Sequence, residues 1–300
     1  MKYFVIDVGG SSVKYAVMNE NREILARSSA ASRHLETPEQ FVSLITQLYR
    51  DNGSCEGGIA VSYCGELNEK TGEIHHGGSY QFLTGRNLKE MLEEECGVRV
   101  SIENDGNCAG LAELKYGSLQ GCRNAAVAVI GTGVGGALII NGELYRGTHG
   151  HAGSLSLLSR SIETEYTKQS WAFRVAGADS LCRRYEKAKG LAEKSTDGFF
   201  LFDAAEKGDP EALNALKDYS STLANLLFDL HLVLDLEAIA IGGGMSRQKL
   251  LQFAVRTAFE SIYQQPGMEK LHLPKPEIRI CQYFNEANLI GALCHHLEDE

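Results

Sequence analysis

One order of features occurs twice in this chain, and it restricts the fold more than anything else in the sequence. The first copy, YFVIDVGGSSVKYAVMNENREIL from Tyr3, runs strand, glycine-rich polar turn, strand, polar turn, strand. The second, AVAVIGTGVGGALIINGELY (Ala126–Tyr145), runs the same way. In both, apolar runs bounded by turn residues have the pattern of buried strands. Gly9-Gly10 lets the backbone turn tightly and leaves its amides open to close approach. Alone, one such segment is a plain β-hairpin. Two halves that each open on a glycine-rich hairpin read as duplicated lobes facing each other across a cleft.

The second turn, GTGVGG (Gly131–Gly136), matches the spacing of a dinucleotide-binding fingerprint. That fingerprint needs a helix directly after its glycines, so that the helix N-terminus can meet the pyrophosphate. Here Ala137–Ile140 follows as a strand and ends in the turn Asn141-Gly142, so an NAD oxidoreductase is disfavoured. Bare amides with Thr132 still make an anion cradle. A third cluster, AIAIGGGMS (Ala238–Ser246), lies between a strand and a helix. This suits either a nucleotide at a strand end or an ordinary tight turn.

Helical patterns cover Thr37–Asn52, Asn87–Cys96, Asn104–Tyr116, Gln169–Lys187, Pro210–Leu234, Arg247–Gln265 and Glu286–Leu297. Further strands are expected at Gly58–Ser62, Val98–Ile102, Ala125–Ile130, Ala137–Ile140, Ala238–Ile241 and Glu277–Cys281. Strands alternating with helices mean an α/β chain, and its 300 residues suffice for two domains. A net charge of −10 opposes a nucleic-acid surface and suits a small-molecule partner; Arg183-Arg184 reads as a solvated helix face. No apolar run is long enough for a bilayer, and Lys2 precedes no signal-peptide pattern. The eight cysteines form no CxxC pair and read as reduced thiols of a cytoplasmic protein.

SIENDGNCAGLAE (Ser101–Glu113) follows an apolar strand and opens a helix. Either Asn104 or Asp105 can cap the free amides, but one cap needs only one polar residue. Glu103, Asn104 and Asp105 in succession leave a carboxylate free to accept a proton from a hydroxyl nucleophile.

FVIDVGGSSVKYAV, GIAVSYCGELNEKTGEI, IENDGNCAGLAE, IGTGVGGALIINGELYRG, IAIGGGMS and NEANLIGALCHHL resemble, in order and over nearly the whole chain, the ROK family of bacterial sugar kinases. The resemblance implies an actin/hexokinase-like (ribonuclease H-like) fold of two duplicated lobes, with ATP and sugar bound in the cleft. Asp7, Gly9, Gly10, Ser11, Ser12 and Lys14 would form the first phosphate turn, and Gly131, Thr132, Gly133 and Gly135 the second. Gly242, Gly243, Gly244 and Met245 would flank adenosine, and Asp7 would hold Mg2+ through water. Asp105 matches the catalytic base and Asn104 a sugar ligand, while Gly65 and Ser79 match the sugar pocket. The implied lobes are 1–117, with 286–300 packing back on it, and 118–285, which would carry the nucleotide and the contacts of a homodimer.

The departures from the family concern the sugar. Where the family has AGEIGH, this chain has AGSLSLL, which puts Ser154 and Leu157 in place of a glutamate and a histidine. Gln169 stands where a further glutamate would contact sugar. The cysteine-rich zinc segment is absent from Ser159–Phe173, so no structural zinc is expected, and His149 and His151 read as loop residues. In these respects the chain looks like the zinc-less β-glucoside kinase branch. The expected activity is ATP-dependent phosphorylation of a primary hydroxyl on a hexose or β-glucoside. The alternative is a sugar-binding regulator or a degenerate family member without kinase activity. Tyr80, Phe82 and Trp171 are candidates for stacking on a sugar face.

Overall fold

The structure is a computed structural model that describes residues 1–53, 55–159 and 166–298. The chain begins with β1 (Lys2–Val8), β2 (Ser12–Asn19), β3 (Ile24–Ala31), α1 (Pro38–Asp51) and β4 (Ile59–Tyr63). Next come β5 (Glu66–Leu67), β6 (Ile74–His76), α2 (Leu88–Cys96), β7 (Val100–Asn104) and α3 (Asp105–Tyr116). The second half opens with β8 (Ala125–Ile130), β9 (Val134–Ile140) and β10 (Glu143–Tyr145). It continues through α4 (Ala172–Ala176), α5 (Ala178–Lys189), α6 (Gly198–Glu206) and α7 (Pro210–Leu234). The chain closes with β11 (Ala238–Gly242), α8 (Lys249–Tyr263), β12 (Glu277–Ile280) and α9 (Ala287–Glu298).

The sequence echo becomes two sheets of one design. The first has the order β3-β2-β1-β4-β7 and the second β10-β9-β8-β11-β12. In each, the opening strand pairs antiparallel with its hairpin partner and parallel with the next strand (β1 with β4, β8 with β11). The chain divides into two compact units. One comprises Met1–Lys115, Leu144–Ala152 and the chain from Glu286 onward; the other comprises Tyr116–Glu143 and Gly153–Asn285.

In the first unit, strand period sorts β1 onto two faces. Phe4, Ile6 and Val8 enter a core with Phe41 and Ile45 of α1 and Leu88 and Leu92 of α2. The opposite face carries Tyr3, Val5 and Asp7, and there α9 packs on β1, β4 and β7. The buried face of α1 repeats at helical spacing, with Phe41, Val42, Ile45 and Tyr49. Its start follows from Thr37, whose side chain accepts from the Gln40 amide, and from Pro38 in the first turn. Gly291 is required in α9, because a Cβ there would lie 1.8 Å from the backbone oxygen of Cys108 in α3.

In the second unit, α7 runs from the cap Asp209 and Pro210 to Asp235, which adopts φ 49°. Two expectations fail here. The helix foreseen over Gln169–Lys187 is two helices starting at Ala172, because Trp171 bridges to Ser159 in extended conformation. The chain breaks again at Gly177, where a Cβ would meet the Thr132 oxygen at 2.3 Å. Arg184 is also not on a solvated face. It donates to Val175 O, Ser180 Oγ and Thr222 Oγ1 and lies over the Tyr219 ring.

Candidate active site

Asp7 ends the buried face of β1 that meets α9, and it is only 4% exposed. Ser62 Oγ of β4 donates to its Oδ1 at 3.2 Å, and Asn288 Nδ2 of α9 donates to the same atom at 3.0 Å. Lys14 Nζ donates to Oδ2 at 3.3 Å, as expected for facing residues of the β1–β2 hairpin. The Gly9-Gly10-Ser11 turn closes through Gly9 N donating to Ser12 O at 3.1 Å. Ser79 lies against this turn, since a Cβ on Gly10 would come 2.8 Å from its Oγ.

At the β7–α3 junction the three polar residues divide their work. Asn104 is the cap: its Oδ1 accepts from the Gly106 and Asn107 amides at 2.9 and 3.2 Å. Its Nδ2 donates to Gly65 O at 3.0 Å, which draws two expected sugar-pocket residues together. Glu103 is 1% exposed and accepts from Arg146 Nε at 2.8 Å. Asp105, half-buried, is left as the carboxylate at the mouth of α3, and its Oδ1 accepts from the Gly106 amide at 2.7 Å. Burial, reinforced by the charge of Asp7, pushes its pKa up to about 6. Such a group is ionised near neutrality yet basic enough to take a proton.

The second unit holds a cavity of about 1130 Å3 lined by Ile130, Gly131, Gly244, Met245, Arg247 and Phe199, among others. It unites the second and third glycine motifs. Gly131 N donates to Gly133 O at 3.0 Å across the tip of the β8–β9 turn, and Gly135 follows within β9. Gly242 ends β11, and Gly243 turns the chain with φ 88°, where a Cβ would lie 2.1 Å from Ile130 O. A short 3-10 turn over Gly244–Arg247 then leads to α8. The size suits a nucleotide-sized ligand.

A family model described as the ROK family matches residues 3–298. The chain belongs to the ROK family. It is 30% identical to a beta-glucoside kinase of Listeria monocytogenes, an alignment that covers 100% of this chain and 99% of that one. A ROK family protein from Streptococcus pneumoniae, solved in complex with sucrose, matches with a TM-score of 0.87 at 30% identity, over 100% and 99% of the two chains. A ROK family glucokinase from Streptomyces griseus, solved with glucose and AMPPNP, matches with a TM-score of 0.84 at 23% identity, over 98% of each chain. The fold is the duplicated, two-lobe α/β fold of the ROK hexokinases.

Against the ROK pattern, the first unit carries Asp7, Gly9, Gly10, Ser11, Ser12, Lys14, Gly65, Ser79, Asn104 and Asp105. The second carries the remaining glycines, Thr132, Met245, Ser154 and Gln169. Ser154 precedes a short 3-10 turn over Leu155–Leu157, and Leu157 is exposed. Gln169, also exposed, lines a cavity of about 480 Å3 with Arg174 and Arg183, which also line the larger one.

Of the stacking candidates, Tyr80 needs correction. Tyr80 is 2% exposed; its hydroxyl donates to Gly9 O at 2.7 Å and meets Ser32 Oγ at 2.6 Å, so it braces the first turn. Phe82 packs edge-on against Tyr80, and Trp171 packs against Tyr166 in the second unit. Sequence reading missed Ser62, Asn288 and Arg146, which reach Asp7 and Glu103 from distant segments. His151 lies 3.6 Å from Glu66, and none of its neighbours forms a cluster able to hold a metal among the described residues. Residues 160–165 of the segment expected to lack zinc lie outside the described ones. No helix among the described residues is long and apolar enough to cross a membrane.

Proposed function

We propose that this chain transfers the γ-phosphoryl group of ATP to a primary hydroxyl of a hexose or β-glucoside, with Asp105 as general base. Family membership and full-length similarity to curated kinases make it a carbohydrate kinase. The observation that carries the specific reading is Asp105 itself. It is a half-buried carboxylate beside the capping Asn104, with its pKa raised to about 6. The hydroxyl oxygen forms a bond to the γ-phosphorus while the bond from that phosphorus to its bridging oxygen breaks. ADP leaves, and the hydroxyl proton passes to Asp105. Orienting the nucleophile in this way is what phosphoryl transfer asks of one carboxylate.

The nucleotide belongs in the cavity lined by Gly131, Gly244 and Met245, where the backbone can approach a ligand closely. Mg2+ suits a site of carboxylate, phosphate oxygens and waters, and Asp7 would hold it through water. When bound, Mg2+ neutralises charge on the phosphates. Oδ1 of Asp7 is fixed by Ser62 and Asn288, and its Oδ2 faces Lys14.

Ser154 and Leu157 remove two polar partners for sugar hydroxyls and leave room for an anomeric substituent. The beta-glucoside kinase relative and the sucrose-bound neighbour support a substrate larger than a free monosaccharide. The eight cysteines, read as reduced thiols, suit a reducing cytoplasm, and a homodimer without structural zinc completes the reading. A coupled ADP-release assay comparing kcat/KM for glucose, cellobiose and aryl β-glucosides tests it. Higher values for the glycosides are expected. A preference for glucose, N-acetylmannosamine or N-acetylglucosamine contradicts the glycoside assignment.

A further inference from the structure

Leu144–Ala152 folds with the first unit, although the chain on both sides of it belongs to the second. The stretch is closed on itself, with Ala152 N donating to Arg146 O at 3.1 Å. The Arg146 side chain turns inward: its Nε donates to Glu103 Oε2 at 2.8 Å and lies 3.8 Å from Glu69 Oε1. This is no surface ion pair, because the Glu103 side chain is 2% exposed. Exposed pairs contribute little, whereas a buried carboxylate stripped of its partner is costly.

The other oxygen of Glu103 connects that pair to the proposed chemistry. Its Oε1 accepts from the Asn104 amide at 2.8 Å and from Asn107 Nδ2 at 3.0 Å. These residues flank Asp105, and Asn104 caps the helix on which Asp105 sits. A rotation of the Glu103 carboxylate would release both bonds together and shift the cap. Asp105 would move with it.

We propose that Arg146 is a positioning residue for phosphoryl transfer: by clamping Glu103 it fixes the Asn104–Asp105 turn in the orientation that meets the attacking hydroxyl. The proposal rests on the kinase reading of Asp105. A misplacement of about 1 Å can cost on the order of 100-fold in rate, so small movements of the turn matter.

The test uses the full chain with Arg146→Met, Arg146→Lys, Glu103→Gln and the double variant Arg146→Met/Glu103→Gln. Arg146→Met should lower kcat by roughly 10–100-fold with KM for ATP unchanged. Arg146→Lys should recover part of this, since it keeps the charge but loses the guanidinium geometry, and it serves if the Met variant does not fold. In the Glu103→Gln background, Arg146→Met should cost little more, because its route to Asp105 is already cut. Fully additive losses overturn the proposal. Hydrogen exchange judges it without turnover: amides over 104–110 should exchange faster in Arg146→Met, with those of α7 unchanged. Unaltered exchange over 104–110 overturns the proposal. Absence of turnover by the unsubstituted chain with every sugar would sink the kinase reading instead, and the exchange result would then decide on Arg146 alone.

Discussion

Asn288 Nδ2 donates to Asp7 Oδ1 at 3.0 Å, joining residues 281 positions apart in the sequence. The C-terminal helix therefore holds the carboxylate that begins the first glycine turn. Hydrogen bonds to charged groups are worth about 1.5–3 kcal/mol, so Asn288→Ala should lower unfolding stability by an amount in that range. Because Asp7 is also the proposed metal-facing carboxylate, KM for Mg·ATP should rise several-fold. Urea unfolding and steady-state kinetics check both effects. An unchanged midpoint with an unchanged KM would refute the coupling.

Asp105 should cost the protein stability. Its folded-state pKa of about 6 lies above the ordinary value of 3.8, so the folded state favours the protonated form. Below the ordinary value that preference gives no penalty. As pH rises through about 6 the ionised group is fully penalised in the folded state. Asp105→Asn should raise stability at pH 7.5 by roughly 1–2 kcal/mol after allowance for its partial exposure. The gain should vanish near pH 4. Thermal melts of metal-free protein at the two pH values make the comparison, and a variant destabilised at neutral pH contradicts it.

Gly291 should not tolerate a side chain. A methyl group there would meet the Cys108 oxygen at 1.8 Å and its carbonyl carbon at 2.3 Å, and both atoms are backbone. Overpacking typically costs about 1–3 kcal/mol, and Gly291→Ala should reach at least the middle of that range. Thermal unfolding measures it. A midpoint like that of the unsubstituted chain would mean that α9 and α3 are not held this closely.

The purified protein should contain no stoichiometric zinc. A closed zinc site needs four suitably spaced Cys or His ligands, and Ser159–Phe173 contains neither residue type. Elemental analysis after extensive dialysis decides. One zinc per chain would overturn the assignment to the zinc-less branch.

What the sequence revealed was local. Thr37-Pro38 announces a helix through cap chemistry, and the observed start at Pro38 follows it; the helix expected from Pro210 also starts there, capped by Asp209. The repeated hairpins foretold two sheets because turn residues and apolar runs recur in one order. Helix α6 was missed because Phe199 and Phe200 are both exposed and blur its amphipathic period, although Asp197 caps it through the Phe200 amide. At Glu103, Asn104 and Asp105 the residues alone showed that a carboxylate is left over once a cap is supplied; the family resemblance pointed to Asp105, and the structure makes Asn104 the cap. Ser62, Asn288 and Arg146 could not be singled out. All three lie in segments that carry the family resemblance, but no local pattern there names their partners, and only the pairing of β1 with β4, the docking of α9 and the excursion of 144–152 bring them to carboxylates.

The central claim is that Asp105 takes the proton from a sugar hydroxyl during transfer from ATP. The most direct measurement is ADP release by the unsubstituted chain and Asp105→Asn, with the best β-glucoside found, across pH 5–8. For the unsubstituted chain, kcat/KM should rise with pH around a midpoint near 6, as the raised pKa requires. Asp105→Asn should keep its affinity for ATP and lose roughly 10²–10⁴-fold in turnover. Turnover by Asp105→Asn equal to that of the unsubstituted chain would contradict the account.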